Sequence, residues 1–193
     1  MLTTASPTVP PQVPSPLLMS AAEFVKKYAG DRMELVKGQL REVPMASQKH
    51  GRICLVTGRL MDEHAEKHDL GRVTTNDSFV QTKTNPDTTR GADVSFYSYA
   101  RLPKGKVPEG LLPVSPDLIV EVRSPSERWT ALFAKVVEYL EAGVRVVIVL
   151  DEPTGTASVY RPDELQQIFH NGDALVVPDV LPGFSVPVAR FFE

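Results

Sequence analysis

The spacing of apolar residues changes along the chain, and each change predicts a different element. A period of about 3.6 residues is typical of a helix packed on a core, and a period of two is typical of a strand. The capping-box sequence Ser20-Ala21-Ala22-Glu23 predicts a helix of about ten residues that Gly30 ends. A longer helix is predicted at about 47–68, where four apolar residues recur at helical spacing: Ile53, Val56, Leu60 and Met61.

Segments with strand character lie between and after these helices. The segments 33–36 and 39–43 predict a hairpin, because the Lys37-Gly38 sequence between them suits a tight turn. The other predicted strands are 72–83, 92–99, 118–122, 144–150, 157–160 and 174–177. The first two of these should pair across a turn at Asn85-Pro86-Asp87, and 118–122 and 144–150 should be parallel, with a right-handed crossover.

The crossover helix has the clearest predicted start. Ser124 can cap it, Pro125 suits its first position, and Glu127 completes a capping box. Gly143 marks its end. An apolar stripe should lay this helix on the sheet, and its members are Trp129, Leu132, Phe133, Val136, Val137 and Leu140.

Length and composition predict one ordinary globular domain. The chain has 193 residues, 42% hydrophobic and 23% charged, and no segment approaches the ~20 apolar residues of a membrane span. The first 17 residues are rich in proline, which predicts a disordered extended tail before a single domain at 18–193. The tail has neither the basic start nor the apolar run of a secretory signal.

Charge and cysteine content narrow the function classes. The net charge of -3 argues against a protein that coats nucleic acid by bulk electrostatics, but it leaves local nucleic-acid binding open. Cys54 is the only cysteine, so an internal disulfide is impossible and a reducing cytoplasm is the expected setting. Its place in an apolar helical stretch predicts a core thiol.

Two carboxylates carry the main functional prediction. Asp93 and Glu121 lie in predicted strands next to apolar residues such as Leu118-Ile119-Val120. A charge in such a setting costs several kcal/mol unless a cation compensates it. Two carboxylates converging from neighbouring strands predict an oxygen-ligand site for Mg²⁺ that leaves room for a substrate phosphate. The alternatives are a turn carboxylate for Asp93 and a structural ion pair with Arg123 for Glu121.

Further residues can join this site. Arg123 should share a sheet face with Glu121 and could contact a phosphate through its bidentate fork. Lys135, on the flank of the crossover helix, could bend over the strand ends and orient a nucleophile, or extend to solvent. Glu34 could supply another metal oxygen or be an exposed strand end, and Asp117 could be a ligand or a turn residue.

Histidine motifs give weaker signals. His64 and His68 have the i, i+4 spacing of a zinc pair, but the order His-Glu-x-x-His and a third ligand are lacking. His50 could face the cleft or be a solvated residue of the first helical turn. The sequence also contains no P-loop, nucleophile elbow or Gly-x-Gly-x-x-Gly motif.

Several segments together resemble a known family. These segments are Arg90-Gly91-Ala92-Asp93-Val94, the run from Pro116-Asp117 to Ser124-Pro125-Ser126, Lys135-x-x-Glu138-Tyr139-Leu140-x-Ala142-Gly143-Val144, Val149-Leu150-Asp151, Val159-Tyr160 and Leu181-Pro182-Gly183-Phe184. The pattern is similar to a large bacterial family of restriction-endonuclease-like proteins with the PD-(D/E)XK nuclease fold. The resemblance covers most of the chain outside the proline-rich tail.

The resemblance implies a mixed α/β fold, with a restriction-endonuclease-like core in which helices flank a central mixed β-sheet. It also implies Mg²⁺-dependent phosphodiester hydrolysis with catalytic acids at Asp93 and Glu121, and Glu34 matches the family's N-terminal glutamate. Two positions depart from the general signature: Ala92 replaces a proline, and Arg123 stands where a lysine is usual. Lys135 matches a helix lysine that could supply the missing amine.

The resulting hypothesis is a cytoplasmic, homodimeric endonuclease that acts on DNA. Mg²⁺, or Mn²⁺ in its place, would be bound by Asp93, Glu121 and Glu34, while Lys135 and Arg123 would assist catalysis. DNA contacts are expected from Arg123, Arg128 and Lys104. The rival hypotheses are a catalytically inactive module on the same scaffold, which binds nucleic acid or a protein partner, and a protein with only a structural Glu121–Arg123 ion pair.

Overall fold

The computed structural model describes residues 18–105 and 109–193, so the predicted tail at 1–17 lies outside the described residues. The α-helices of this part are α1 (Ala21–Tyr28), α2 (Gln48–Lys67) and α3 (Trp129–Glu141). Its strands are β1 (Met33–Val36), β2 (Gln39–Glu42), β3 (Gly71–Lys83), β4 (Thr88–Ser98), β5 (Leu118–Arg123), β6 (Val146–Asp151), β7 (Thr156–Tyr160), β8 (Gln167–Phe169), β9 (Ala174–Val176) and β10 (Ser185–Pro187). A 3₁₀ helix, Val188–Phe192, follows β10.

Eight strands form one mixed sheet, which confirms the predicted fold class. The strand order is β2-β1-β4-β5-β6-β7-β8, and β3 pairs with β4 outside this path. β5 and β6 are parallel neighbours, as predicted, while the other pairs of this sheet are antiparallel. β9 and β10 form a separate two-stranded sheet.

Strand β4 has a divided edge that positions the functional site. One of its edges is paired with β3 along its whole length. On the other edge, β5 pairs with the end of β4 at Val94–Phe96, while β1 pairs near its start at Thr89. The residues between these two pairings, 90–93, therefore face a gap between β1 and β5, where their backbone groups have no ladder partner on that edge.

The two long helices cover opposite faces of the sheet. Ile53 and Met61 of α2 pack with Leu118 and Val120 of β5, whereas α3 packs on the intervening β5 residue Ile119. Because successive side chains of a strand point to opposite faces, α2 and α3 lie on different sides. Both helices can therefore reach the gap beside β4. No helix among the described residues has the length and apolar character needed to cross a bilayer.

The first helix and the hairpin follow their local signals. Ser20 caps α1 through a complete capping box with Glu23. The hairpin turn has positive φ at both Lys37 and Gly38, with values of 52° and 72°. At Gly38 a side chain would also be crowded, because a Cβ there would lie 2.7 Å from Cβ of Leu18. The predicted hairpin is confirmed, with β2 ending at Glu42.

The predicted start of α3 was wrong by about one turn. The helix begins at Trp129, and its N-cap Arg128 makes no side-chain capping bond. Ser124 instead lies 3.2 Å from Ser126 through their hydroxyl oxygens, and its carbonyl accepts from Glu127 N–H, so the segment forms a turn. Local hydrogen bonds of this kind compete with helix capping, so the capping-box sequence was not sufficient to start the helix at Ser124.

The apolar stripe of α3 is also narrower than predicted. Leu132 and Val136 are buried, but Phe133 and Val137 are 46% and 44% exposed. Tyr139, which was not part of the predicted stripe, is fully buried. The buried face of the helix is therefore rotated towards the side that carries Lys135 and Tyr139.

Candidate active site

Asp93 lies at the end of the gap beside β4 and is held from two directions. It is 8% exposed, and its Oδ2 accepts a 2.7 Å hydrogen bond from the backbone N–H of Val122 in β5. Its Oδ1 lies 3.1 Å from Nε2 of His50, which α2 supplies from its first turn. The interpretation of Asp93 as a free turn carboxylate is therefore wrong, because the side chain points into the protein.

His50 behaves as a cation in this arrangement. Its hydrogen bond to Asp93, with a further one to Cys54, raises the pKa of His50 to about 11 although burial opposes the shift. The imidazolium therefore donates to Asp93 at neutral pH. The expectation that His50 could face the cleft is confirmed by this contact.

Glu121 is the most buried carboxylate of the site. It is 3% exposed, accepts a 2.8 Å hydrogen bond from the Tyr139 hydroxyl at Oε1, and has Lys135 Nζ 3.3 Å from Oε2. Burial raises the pKa of Glu121 to about 8, although Lys135 acts in the opposite direction. Without a further cation, the ionised form of this carboxylate is therefore unfavourable near neutral pH.

Lys135 bends inward, as the nuclease interpretation requires. Its ammonium lies 3.3 Å from Glu121 and 3.6 Å from Oε1 of Glu34, and the side chain is only 19% exposed. Burial alone would lower the pKa of Lys135, but the carboxylates of Glu121 and Glu34 outweigh it and the net shift is upward. Lys135 is therefore a protonated bridge between strands β1 and β5.

Glu34 is fixed on the other side of the gap. Its Oε2 accepts a 2.8 Å bond from Arg90, and the backbone N–H of Gly91 lies 3.4 Å from its Oε1. Arg90 is held in turn by Glu138 through two bonds of 2.8 and 2.9 Å. Glu34 is 6% exposed, so the alternative of an exposed strand end is wrong.

Two further acids approach the same place. A bulge in β3 gives Asn76 and Asp77 positive φ, and Gly91 allows its close approach, since a Cβ on Gly91 would lie 2.9 Å from Cβ of Asp77. Burial and then the charge of Asp93 raise the pKa of Asp77. Burial likewise raises the pKa of Glu127, with Lys135 opposing and Asp93 contributing.

The charges of this centre are unbalanced. Its carboxylates are Glu34, Asp77, Asp93, Glu121, Glu127 and Glu138, and its cationic groups are His50, Arg90 and Lys135. The carboxylates outnumber the cationic groups two to one when all are ionised. A centre of this kind favours an additional cation or the uptake of protons.

Arg123 has a different partner from the one considered in the sequence. Its Nη1 donates a 2.6 Å bond to Asp151 Oδ1, and its guanidinium lies 4.8 Å from the ring centre of Trp129. Within residues 18–105 and 109–193, Arg123 forms no ion pair with Glu121. The predicted Glu121–Arg123 ion pair is therefore wrong, because Arg123 pairs with Asp151 instead. The side chain lies on the α3 side of the sheet, next to the predicted site.

The other candidates lie apart from the carboxylates or make no contact with them. Lys104 Nζ lies 2.7 Å from Asp69 and 4.9 Å from the ring of Tyr99, which directly follows the last residue of β4. Arg128 is exposed at the start of α3, and no ion pair of the described residues includes it. Asp117 pairs with two arginines near the start of β5.

Cys54 and the histidine pair of α2 also differ in their surroundings. Cys54 is half-buried and packs against the main hydrophobic core, as predicted, and it also lies beside His50 and Asp93, which the sequence did not indicate. His64 and His68 have ring centres 4.4 Å apart, but His64 Nε2 lies 2.9 Å from the Pro182 carbonyl. Within the described part of the chain, no third histidine, cysteine or carboxylate side chain lies close enough to this pair to complete a metal site.

Sequence reasoning missed the supporting residues of the site. Arg90, Glu138 and Tyr139 occur in the motifs that resemble the family, but no role in the site was predicted for them. Asp77 was not considered. A signal existed for Tyr139, because it lies one helical turn after Lys135 on the same helix. For Asp77 there was none, since its position depends on the bulge in β3.

Comparison with known proteins identifies the family of the chain. Residues 21–189 match a family model described as "Uma2: Putative restriction endonuclease". The chain belongs to the Uma2 family. This membership confirms the resemblance inferred from the sequence and supports a nuclease-like function.

A solved relative extends the comparison to three dimensions. The crystal structure of "a putative nuclease belonging to DUF820" from Anabaena variabilis ATCC 29413 superposes with a TM-score of 0.77 at 20% identity. The alignment covers 90% of this Uma2 chain and 97% of the other chain. At that identity the similarity establishes the fold. No curated protein matches the chain.

Proposed function

We propose that this Uma2 protein is a metal-dependent endonuclease of the PD-(D/E)XK type that hydrolyses phosphodiester bonds of DNA. The observation that carries the proposal is the meeting of Asp93 and Glu121 at the divided edge of β4, with Lys135 3.3 Å from Glu121. The two acids come from adjacent antiparallel strands, and the lysine comes from the helix that covers them. Family membership supports the same reaction class.

The residues at the gap fit a hard divalent cation. Their donors are carboxylate oxygens, which Mg²⁺ and Mn²⁺ prefer, and the excess of acids supplies the negative charge that such an ion needs. Asp93 and Glu121 would hold the ion, with Glu34 as a further ligand. When bound, the ion supplies Lewis-acid polarisation of a phosphoryl oxygen.

The protein's own residues have separable roles in this proposal. Lys135 would stabilise the negative charge that develops on the phosphoryl oxygens and orient the nucleophile, as a buried ammonium next to the acids is placed to do. Arg123 would contact a substrate phosphate through the part of its fork that Asp151 does not occupy. Tyr139 and His50 would keep Glu121 and Asp93 in position through their hydrogen bonds.

The DNA contacts and the assembly are further parts of the proposal. Arg128 is exposed at the start of α3, close in sequence to Arg123, and would contact the DNA backbone. Lys104 would make a more distant contact once released from Asp69. Cleavage of both strands of a duplex would be served by a homodimer that presents two sites, and a mass measurement in solution tests this.

The experiment that tests the function compares wild type with Asp93→Asn. Mg²⁺ and Mn²⁺ binding is measured by calorimetry, and plasmid cleavage is followed in the same samples with and without a chelator. Asp31→Asn, which changes an exposed acid outside the site, is the control with the same charge change. Both binding and cleavage should disappear only in Asp93→Asn. Unchanged metal-dependent cleavage by that variant would contradict the assignment.

A second candidate function is a nuclease scaffold that binds nucleic acid or a protein partner without catalysis. The observation that favours it is that protein donors already contact each of Asp93, Glu121 and Glu34. This module would bind DNA equally well with a chelator present, whereas the endonuclease would lose cleavage. This candidate would be favoured if Mg²⁺ does not change DNA binding and the bound DNA is not cleaved.

A further inference from the structure

A mixed-donor cluster lies at the start of α2, next to the proposed magnesium ligands. His50 and Cys54 are four residues apart on this helix and therefore lie on one face, next to Asp93 of β4. One donor atom from each residue lies within 4.8 Å of the other two. The side chains of His50 and Asp93 are 16% and 10% exposed, so the cluster is sheltered but can be reached from solvent.

These donors suit a different class of metal from the carboxylates around Glu121. A nitrogen, a sulfur and an oxygen form the type of ligand set that binds Zn²⁺, whereas Mg²⁺ has little affinity for thiolate or imidazole. Around a tetrahedral zinc ion, donors lie roughly 3.3–3.8 Å apart, given Zn–ligand bonds of about 2.0–2.3 Å. Side-chain rotations that move the donor atoms by about 1 Å would therefore bring all three into contact with one zinc ion. The fourth position of the tetrahedral ion would stay open.

Asp93 links this cluster to the proposed magnesium centre. Its Oδ2 accepts from Val122 N–H and its Oδ1 lies 3.1 Å from His50 Nε2, so Oδ1 becomes available to an ion when His50 gives up that contact. Because Oδ1 is on the His50 side, an ion held by His50 and Cys54 would compete for it with the magnesium centre. Occupation by zinc would therefore remove Asp93 from the magnesium centre.

We propose that His50, Cys54 and Asp93 form a zinc-type inhibitory site. The site binds thiophilic divalent cations such as Zn²⁺ or Co²⁺ in place of the magnesium ligand set. Metal binding replaces the hydrogen bond between His50 and Asp93 with bonds to the ion, and the thiol and imidazolium lose their protons to solvent. The binding part of the proposal stands by itself, and the inhibitory part rests on the proposed nuclease function.

The first test uses Co²⁺ as a spectroscopic probe of the purified, metal-free protein. A near-ultraviolet thiolate-to-cobalt band and tetrahedral visible bands are expected for the wild type, and Zn²⁺ should displace them. In Cys54→Ser the thiolate band should vanish. Because removal of even an outer-shell partner costs roughly 10–100-fold in metal affinity, loss of this ligand should weaken zinc binding at least ~100-fold in calorimetry.

The control is His68→Gln, because His64 and His68 form the other i, i+4 pair of the same helix. This variant should retain the cobalt spectrum. A spectrum that survives Cys54→Ser but disappears in His68→Gln would overturn the proposal and place the metal at the histidine pair. Cys54→Ala provides a second variant, and circular dichroism checks that each variant is folded. Absence of any thiolate band in the wild type would also overturn the site.

Inhibition is measured separately from binding. In plasmid cleavage with excess Mg²⁺, added Zn²⁺ should inhibit the wild type and His68→Gln, and Cys54→Ser should need at least ~100-fold more Zn²⁺ for the same inhibition. If Mg²⁺ supports no cleavage in any sample, the proposed function fails while the cobalt spectrum still decides the site. If zinc binds at Cys54 and cleavage continues unchanged, the inhibitory part is wrong.

Discussion

Two buried carboxylates at opposite ends of β5 have contrasting environments. Asp117, just before the strand, is 2% exposed and accepts a 2.8 Å bond from Ser98 N–H. Its Oδ1 also pairs with Arg101 at 3.2 Å and with Arg145 at 3.6 Å. Among the described residues, Glu121, 3% exposed, pairs with one cation, Lys135, which it shares with Glu34. Asp117 thus has two arginine partners, whereas Glu121 shares a single lysine with another carboxylate.

This contrast separates a structural acid from a candidate catalytic acid more clearly than burial does. Asp117 is fully satisfied by donors and cations of the fold, so an added cation would gain little there. Around Glu121 the acids exceed the cations, and burial raises the pKa of Glu121 to about 8. Perturbation of this kind is typical of functional sites, where a ligand completes the electrostatics.

The largest effect is expected at the structural end. Asp117→Ala should lower the free energy of unfolding by about 3–5 kcal/mol, because Arg101 and Ser98 N–H lose their acceptor in a buried setting. Urea unfolding followed by circular dichroism measures this. A loss below 1 kcal/mol would contradict the structural assignment of the pair.

Near the other end of β5, substitution of Glu121 should lower the rate of DNA cleavage without lowering the free energy of unfolding. Glu121→Gln should reduce metal-dependent cleavage ~100-fold or more, equivalent to about 2.7 kcal/mol. Its folded-state pKa is raised, so the stability that protonated Glu121 contributes is present below pH 4.5 and is lost as the pH rises through about 8. The metal-free variant should therefore be at least as stable as the wild type above pH 8. A variant that is inactive because it is unfolded would not support the comparison.

The pH dependence of stability should reveal the His50–Asp93 pair. The pKa of His50 is raised to about 11 by Asp93 and then Cys54, with Asp77 also contributing negative charge nearby. The stabilisation is complete below pH 6.5 and is lost as the pH rises through about 11. Because one proton is involved, the free energy of unfolding can fall by at most about 1.4 kcal/mol per pH unit, and the partial exposure of His50 reduces this slope. The wild type should therefore lose its advantage over His50→Gln progressively between pH 6.5 and about 11 in thermal or urea unfolding, and parallel stability curves would refute this.

The smallest effect is expected at the exposed basic residues. Arg128→Ala should reduce the slope of log K against log salt for DNA binding by about 0.9, the value for one lost phosphate contact. Lys104→Ala should change the slope less, because Lys104 already pairs with Asp69. Fluorescence anisotropy at several salt concentrations measures both. An unchanged slope for Arg128→Ala would remove that residue from the proposed DNA surface.

The sequence was informative wherever the determining interactions are local or periodic. The pairing of β3 with β4 followed from two strand-like segments around a turn, and the parallel β5–β6 pair followed from two apolar runs joined by the crossover helix. The inward position of Lys135 was one of two open alternatives, and the structure places it next to Glu121. Strands β8 and β10 were missed, because neither three-residue segment is an apolar run like Ala174-Leu175-Val176, which marked the equally short β9.

The partners of the charged residues could not be deduced from spacing. Arg123 is two residues from Glu121 but pairs with Asp151 across the neighbouring parallel strand. The choice between these acids depends on strand register and on Lys135 and Tyr139, which already occupy Glu121. The proximity of Cys54 to Asp93 was missed for a similar reason, since Asp93 comes from a strand distant in the chain.

The divided edge of β4 also gives the protein built-in reporters of its own occupancy. Where the ladder is interrupted, Val122 N–H donates to Asp93, and Gly91 N–H lies 3.4 Å from Glu34. These two amides sense the charge on each carboxylate through a single hydrogen bond. In a nuclear magnetic resonance titration of nitrogen-15-labelled protein, their shifts and exchange rates would record ion arrival at each acid separately, without any substrate.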